Sequence, residues 1–161
     1  MKTVSIISIV YGTLGFIWAT LIMIALDIQK SIIENIPVPE EALKYVNVTA
    51  IMESLHSIMS LLVPFVFLIG LIYIISGILG LNERPQSYTF GMLAAVFNIV
   101  WYITLIVTMQ MELIPLIKID QIMPAHIFRM IFVLGSIVDA VFYCAYPVFL
   151  LIFLSQKRVK G

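Results

Sequence analysis

Long apolar stretches separated by short polar segments dominate the sequence. A membrane-spanning helix needs about 20 mainly apolar residues. Four stretches of the chain reach that length: 4–26, 55–81, 88–111 and 127–154. The segments between them are polar or contain proline. This pattern predicts an all-α, polytopic membrane protein, a four-transmembrane-helix bundle in which residues 1–161 form a single integral membrane domain.

The composition of the chain supports a membrane environment. The sequence is 62% hydrophobic and 11% charged, and its mean hydropathy is +1.12. A soluble domain of 161 residues could not bury so much apolar surface, because its surface-to-volume ratio is too high. The first apolar stretch exceeds the apolar core of about 7–15 residues in a secretory signal, so we expect it to remain as a span. The formal net charge is zero, and nothing suggests nucleic acid as a partner.

Cys144 is the only cysteine of the chain. A single cysteine excludes an intrachain disulfide, a redox-active cysteine pair and a cysteine-rich zinc site. The four-span plan with a longer first outer loop resembles claudins and tetraspanins in outline. The cysteines that characterise their outer loops are missing, so the resemblance stops at the layout. Phosphate-binding, metalloprotease and hydrolase motifs are also absent, and the sequence gives no indication of an enzyme.

The distribution of basic residues predicts the orientation of the bundle. Loops rich in Lys and Arg close to the span ends are normally cytoplasmic. One side of the four-span layout holds five basic residues: Lys2, Arg84, Lys157, Arg158 and Lys160. The other side holds fewer basic residues and most of the acidic ones. We therefore expect both termini in the cytoplasm, and an acidic outer loop at 27–54 in which a short helix near Pro39 leads into the second span.

Small residues indicate how the helices pack. Helices in lipid associate through close approach at small side chains. The first span has five of them, spaced three or four apart on one helical face: Ser5, Ser8, Gly12, Gly15 and Ala19. We predict a compact bundle that acts as a non-catalytic accessory or structural subunit of a larger membrane complex. Its expected partners are the bilayer and other membrane subunits, or further copies of itself, with the acidic outer loop as a docking surface.

Asp139 is an acidic residue within a predicted span. It lies about 14 Å from the outer end of span four, and Asn98 lies at a similar depth in span three. A charged aspartate there costs roughly 2.5–3.5 kcal/mol, so we expect it to face the bundle interior. One interpretation is a hydrogen bond to Asn98 that fixes helix register; the other is proton-coupled transport through Asp139. Further possible hydrogen-bond partners are Tyr102, Tyr143, Ser136 and Tyr73.

Both histidines lie among methionines at the outer ends of spans two and four. The spacings of three and four residues bring each group towards one helical face. Thioethers with imidazole suit Cu(I), and two histidines on separate helices could instead ligate a haem. Methionine is also a flexible apolar filler and histidine an ordinary interfacial residue, so a purely structural role stays open. The candidate metal ligands are Met52, His56, Met59, Met123, His126 and Met130.

Overall fold

The computed structural model describes residues 2–35, 48–116 and 125–159. Four long helices account for nearly all of these residues: α1 (Lys2–Asn35), α2 (Val48–Leu81), α3 (Gln86–Glu112) and α4 (Ala125–Val159). A short 3-10 helix, Ile114–Leu116, follows α3. No strand occurs in the described residues, and the all-helical prediction is confirmed.

The helices are longer than the predicted spans. α1 continues to Asn35 and α2 already begins at Val48, so part of the predicted outer loop is helical. The reason is that helical hydrogen bonding does not depend on an apolar side chain at each position, and α1 extends through the polar residues after Leu26. The helix expected near Pro39 lies outside the described residues.

Three of the helices are long and apolar enough to cross a membrane. The qualifying segments are Lys2–Gln29, Thr49–Leu81 and Gln86–Leu116. In α4, a first segment, Met130–Val141, and a second segment, Tyr143–Gln156, meet at a 45° bend. Counting this bent pair as one span gives four. The described part of the chain therefore holds three to four helices that could cross a membrane.

α1 and α2 run antiparallel and touch through glycines. A Cβ atom on Gly12 would lie 2.5 Å from the backbone carbonyl oxygen of Gly70, and one on Gly77 would lie 2.5 Å from that of Ser5. Such distances leave no room for a side chain, so the two backbones are in direct contact. Ser5, Gly12 and Ala19 are buried, as the predicted small-residue face of the first span requires.

A tight turn joins α2 to α3. Glu83 adopts a left-handed backbone conformation, with φ of 56°. The Glu83 amide donates to the Gly80 carbonyl, and the Arg84 amide donates to the Leu79 carbonyl at 2.9 Å. These two bonds form a Schellman motif, which satisfies the last carbonyl groups of α2. Pro85 then caps α3, so the two helices form an antiparallel hairpin.

The core lies beside the second segment of α4. Its buried residues come from α2, α3 and α4: Ile69, Ile72, Tyr73, Ala94, Ala95, Leu150 and Leu154. At the same level, the Ser76 hydroxyl of α2 donates to the Ser87 carbonyl of α3 at 2.9 Å. The first segment of α4 supplies none of these core residues.

Candidate functional site

A hydrogen-bonded chain joins three helices at Asn98. This residue of α3 is 8% exposed, and its side-chain amide donates to the Tyr11 hydroxyl of α1 at 3.0 Å. The Tyr11 hydroxyl in turn donates to the backbone carbonyl of Tyr143 in α4, also at 3.0 Å. Polar groups buried in a bundle need such partners, because lipid supplies none. This chain of hydrogen bonds therefore joins α1, α3 and α4 at the same height in the bundle.

Pro147 explains why the Tyr143 carbonyl is free to accept this bond. Within an α-helix, that carbonyl would accept from the amide of the residue four positions later. Proline has no N–H, and its ring clashes with the carbonyl four residues before it. The 45° bend of α4 falls directly before Tyr143, one turn ahead of the buried Pro147. An internal proline in an apolar span is a signal for such a bend, and we did not predict the bend from it.

Three tyrosine rings surround the Asn98 chain. Tyr11 lies 5.1 Å from Tyr73 and 4.8 Å from Tyr146, measured between ring centroids. The Tyr146 hydroxyl is 2.6 Å from the Ser8 hydroxyl, which adds a second link between α4 and α1. Tyr73 is fully buried, and its hydroxyl has no hydrogen-bond partner among the described residues. The second segment of α4 is thus joined to α1 through side chains, by the contacts of Tyr146 with Tyr11 and with Ser8.

A cavity of about 260 Å³ opens beside these tyrosines. Its walls are mainly apolar, with Asn98 and tyrosines providing the polar part. The residues that line it come chiefly from α1, α2 and α3: Tyr11, Leu14, Gly15, Trp18, Val66, Ile69, Gly70, Tyr73, Asn98, Trp101 and Tyr143. Tyr143 is the only contribution of α4 among these residues, so the first segment of α4 does not close the cavity.

Asp139 lies on the surface of the first segment of α4. Its side chain is exposed rather than facing the bundle interior, which contradicts the placement we expected. The expected hydrogen bond to Asn98 is not among those formed by the described residues, because Asn98 donates to Tyr11 instead. The bend in α4 accounts for the difference: Tyr143, four residues later, occupies the position facing Asn98 and Tyr11.

The other predicted partners of Asp139 also bond elsewhere. The Tyr102 hydroxyl donates to the Ser136 carbonyl at 2.9 Å, and the Ser136 hydroxyl donates to the Phe132 carbonyl at 2.9 Å. Asp139 is close enough to Tyr102 and Tyr143 for electrostatic interaction. It has no hydrogen bond to any of the residues that the structure describes.

Gly135 lies one turn before Asp139 and is equally uncovered. A Cβ atom on Gly135 would have no neighbour within 4 Å, in contrast to Gly12 and Gly70. Residues three and four apart share a helical face. We therefore define the open face of α4 as Ile131, Gly135, Val138 and Asp139, all of which are exposed.

The histidine and methionine residues are only partly described. Met123 lies outside the described residues, as does the side chain of His126, and Met130 is 58% exposed. His56, Met52 and Met59 lie half-buried on α2, and His56 Nδ1 is buried without a hydrogen-bond partner. No cluster of three or more His, Cys, Asp or Glu side chains that could hold a metal ion exists within the described part of the chain. The copper and haem hypotheses stay predictions.

No family model, curated protein or solved structure matches this chain. The geometry therefore carries the functional argument. It places a hydrogen-bonded chain through Asn98, Tyr11 and Tyr143 inside the bundle, and an exposed carboxyl group at Asp139 on the surface of α4. The first joins three helices, and the second has no hydrogen bond to any residue that the structure describes.

Proposed function

We propose that this chain is a non-catalytic accessory subunit that binds within the membrane to a larger protein complex. The observation that carries the proposal is the uncovered first segment of α4. Apart from Phe132, its large apolar side chains are between 47% and 62% exposed, and its carboxyl group has no hydrogen-bond partner among the described residues. Leu150 and Leu154, in the second segment, are buried in the core of the same bundle.

The contrast between the two segments of α4 favours a protein partner. Apolar exposure alone is ordinary for a helix in lipid, because lipid tails solvate leucine and valine as well as protein does. A carboxyl group differs, since ionisable residues in membranes almost always face protein or water. A helix packed on the open face would remove Asp139 from lipid and would fill the space beside Gly135.

Co-purification tests the proposal. Protein extracted from its native membrane in a mild detergent should migrate with a stoichiometric partner polypeptide, at a mass above the 18.2 kDa of one chain. The Gly135→Phe variant should lose the partner, because the ring occupies the open face. Ile152→Phe is the matched control, since Ile152 is 53% exposed on the second segment of α4. A wild-type chain that runs alone would refute the proposal.

We also propose that the bundle crosses a cell membrane four times with both termini in the cytoplasm. The basic residues near the termini and in the 82–85 turn support this orientation. In a Cys144→Ser background, a cysteine introduced by Arg84→Cys should react with a membrane-impermeant maleimide only after the membrane is permeabilised. Labelling of intact cells would overturn this topology.

A second candidate function is Cu(I) binding at His56. The supporting observation is the buried, unpartnered Nδ1 atom, with Met52 and Met59 four residues before and three residues after on the same helix. Soft sulfur ligands with imidazole suit Cu(I). Metal analysis of protein purified from copper-replete cells should find copper that is lost in His56→Ala/His126→Ala. If the copper content of that variant is unchanged, the two histidines are not copper ligands. If the purified protein shows no Soret band, the haem alternative is wrong.

A further inference from the structure

We infer that the open face of α4 binds a transmembrane helix of a different membrane protein, and that this helix carries a lysine or arginine near the middle of its span. The inference rests on the proposed accessory function and specifies the chemistry of the partner. Its basis is the pairing of Asp139, which has no hydrogen-bond partner among the described residues, with the uncovered Gly135 one turn away.

In the proposed four-span arrangement, Asp139 is too far along its span to be solvated at the membrane surface. It lies nine residues after Met130, where the first segment of α4 begins, which corresponds to about 14 Å along the helix. Aspartate has a short side chain and cannot reach the interface as lysine and arginine do. Its neighbours on the open face, Ile131, Gly135 and Val138, provide no polar atom from their side chains. Tyr102 and Tyr143 lie near Asp139 but carry no positive charge and form no hydrogen bond to it. A partner must therefore supply a cation.

Charge complementarity selects the type of group. A carboxylate in a low-dielectric environment is best satisfied by a cation that also donates hydrogen bonds. No lysine or arginine of this chain is available at that depth: the only basic residue in 127–154 is Arg129, ten residues before Asp139. Ten residues correspond to about 15 Å along a helix. The matching cation must come from another molecule.

A second copy of this chain cannot supply the cation. Two copies in the same membrane orientation would place Arg129 of one about 15 Å from the level of Asp139 in the other. Two Asp139 side chains that face each other offer each other no cation. The complementary partner is therefore a different protein.

Gly135 makes the contact sterically possible. Small residues allow helix backbones to approach closely in membranes. Gly135 and Asp139 are four residues apart and differ by about 40° around the helix axis. A helix resting against Gly135 would thus place its own side chains beside Asp139. A long lysine or arginine side chain could reach the carboxylate along that contact.

Synthetic peptides test this chemistry directly. The probe is a membrane-spanning Leu–Ala peptide of about 24 residues with one central lysine, labelled for energy transfer to the purified full-length protein in lipid vesicles. Matched peptides carry a central glutamine or glutamate. We expect the lysine peptide to bind at least about tenfold more tightly than the glutamine peptide, and this preference to vanish in Asp139→Asn.

Two variants sharpen the test. Glu112→Gln makes the same change of charge at an exposed residue of α3 away from the open face, and the lysine preference should persist. Asp139→Lys should reverse the preference and select the glutamate peptide. Circular dichroism establishes that each variant is folded. Equal binding of lysine and glutamine peptides to the wild type, or no binding of either, overturns the inference. The inference is also overturned if the wild-type chain forms a dimer that Asp139→Asn abolishes.

The native complex separates this inference from the proposed function. If Asp139→Asn still co-purifies with the partner at wild-type stoichiometry, the accessory function stands and the charged contact is wrong. If the wild type has no partner, the accessory function itself fails, whatever the peptides show.

Discussion

The contact between α1 and α2 at Gly12 gives the sharpest prediction about stability. In Gly12→Ala, the new Cβ would lie 2.5 Å from the Gly70 carbonyl oxygen, 2.9 Å from Ile74 Cγ1 and 3.1 Å from Tyr73 Cβ. An ordinary carbon–oxygen contact is about 3.3 Å or longer. The helices must therefore separate by about 0.8 Å, since the obstructing oxygen belongs to the backbone and cannot rotate away.

Such a separation weakens the whole interface. A gap of about 0.5–1 Å forfeits roughly a quarter to a half of each dispersion contact. It also lengthens the bond between Asn98 and Tyr11, which is adjacent to the substituted residue. Overpacking of this kind typically costs about 1–3 kcal/mol. We expect Gly12→Ala to destabilise the bundle by that amount.

Gly135→Ala is the matched control. Both glycines are within helices, so any gain in helix propensity, about 1 kcal/mol for Gly to Ala, applies to both. A Cβ on Gly135 meets nothing within 4 Å, so only Gly12→Ala has a packing cost. Reversible unfolding of the two variants and the wild type in detergent micelles gives the difference in unfolding free energy. Equal stability of the two variants would refute the close contact between α1 and α2.

Three further predictions concern the turn and the hydrogen-bonded chain. Glu83→Gly should stabilise the protein by about 0.5–1 kcal/mol relative to Glu83→Ala, because glycine adopts the left-handed conformation without strain; thermal unfolding checks this. Pro147→Ala should restore the amide that bonds the Tyr143 carbonyl and straighten α4. Spin-label distances between the two ends of α4 should then increase, and an unchanged 45° bend would contradict this explanation. Asn98→Leu should cost about 0.6–1.7 kcal/mol in the same micelle assay, the range of interhelical hydrogen bonds in membranes, and no loss would show that the bond to Tyr11 is not stabilising.

Much of the bundle was predictable from the sequence because the signals are local. Apolar stretches of spanning length located the helices, and the spacing of three and four residues predicted the small-residue face of α1. Ser5, Gly12 and Ala19 are indeed buried there. These patterns depend only on the period of the helix and the length needed to cross a bilayer.

The hydrogen-bond partner of Asn98 could not be predicted from these patterns. Counting residues gives the depth of a side chain in the membrane, but not which neighbouring helix it faces. Asp139 and Tyr11 were both possible by depth, and the bend before Tyr143 decided between them. Recognising Pro147 would have indicated that the Tyr143 carbonyl needed a donor from outside its own helix.

The Tyr11 hydroxyl couples two helix contacts through one atom. It accepts a bond from α3 and donates one to α4, so a single oxygen atom belongs to both contacts. α1 and α4 are the first and last of the four helices, so this hydroxyl links elements that are far apart in the sequence. A disturbance of α1 at this level is therefore felt by α3 and α4 at once. Removing that one atom, as in Tyr11→Phe, would leave both the Asn98 amide and the Tyr143 carbonyl without the partner they have here.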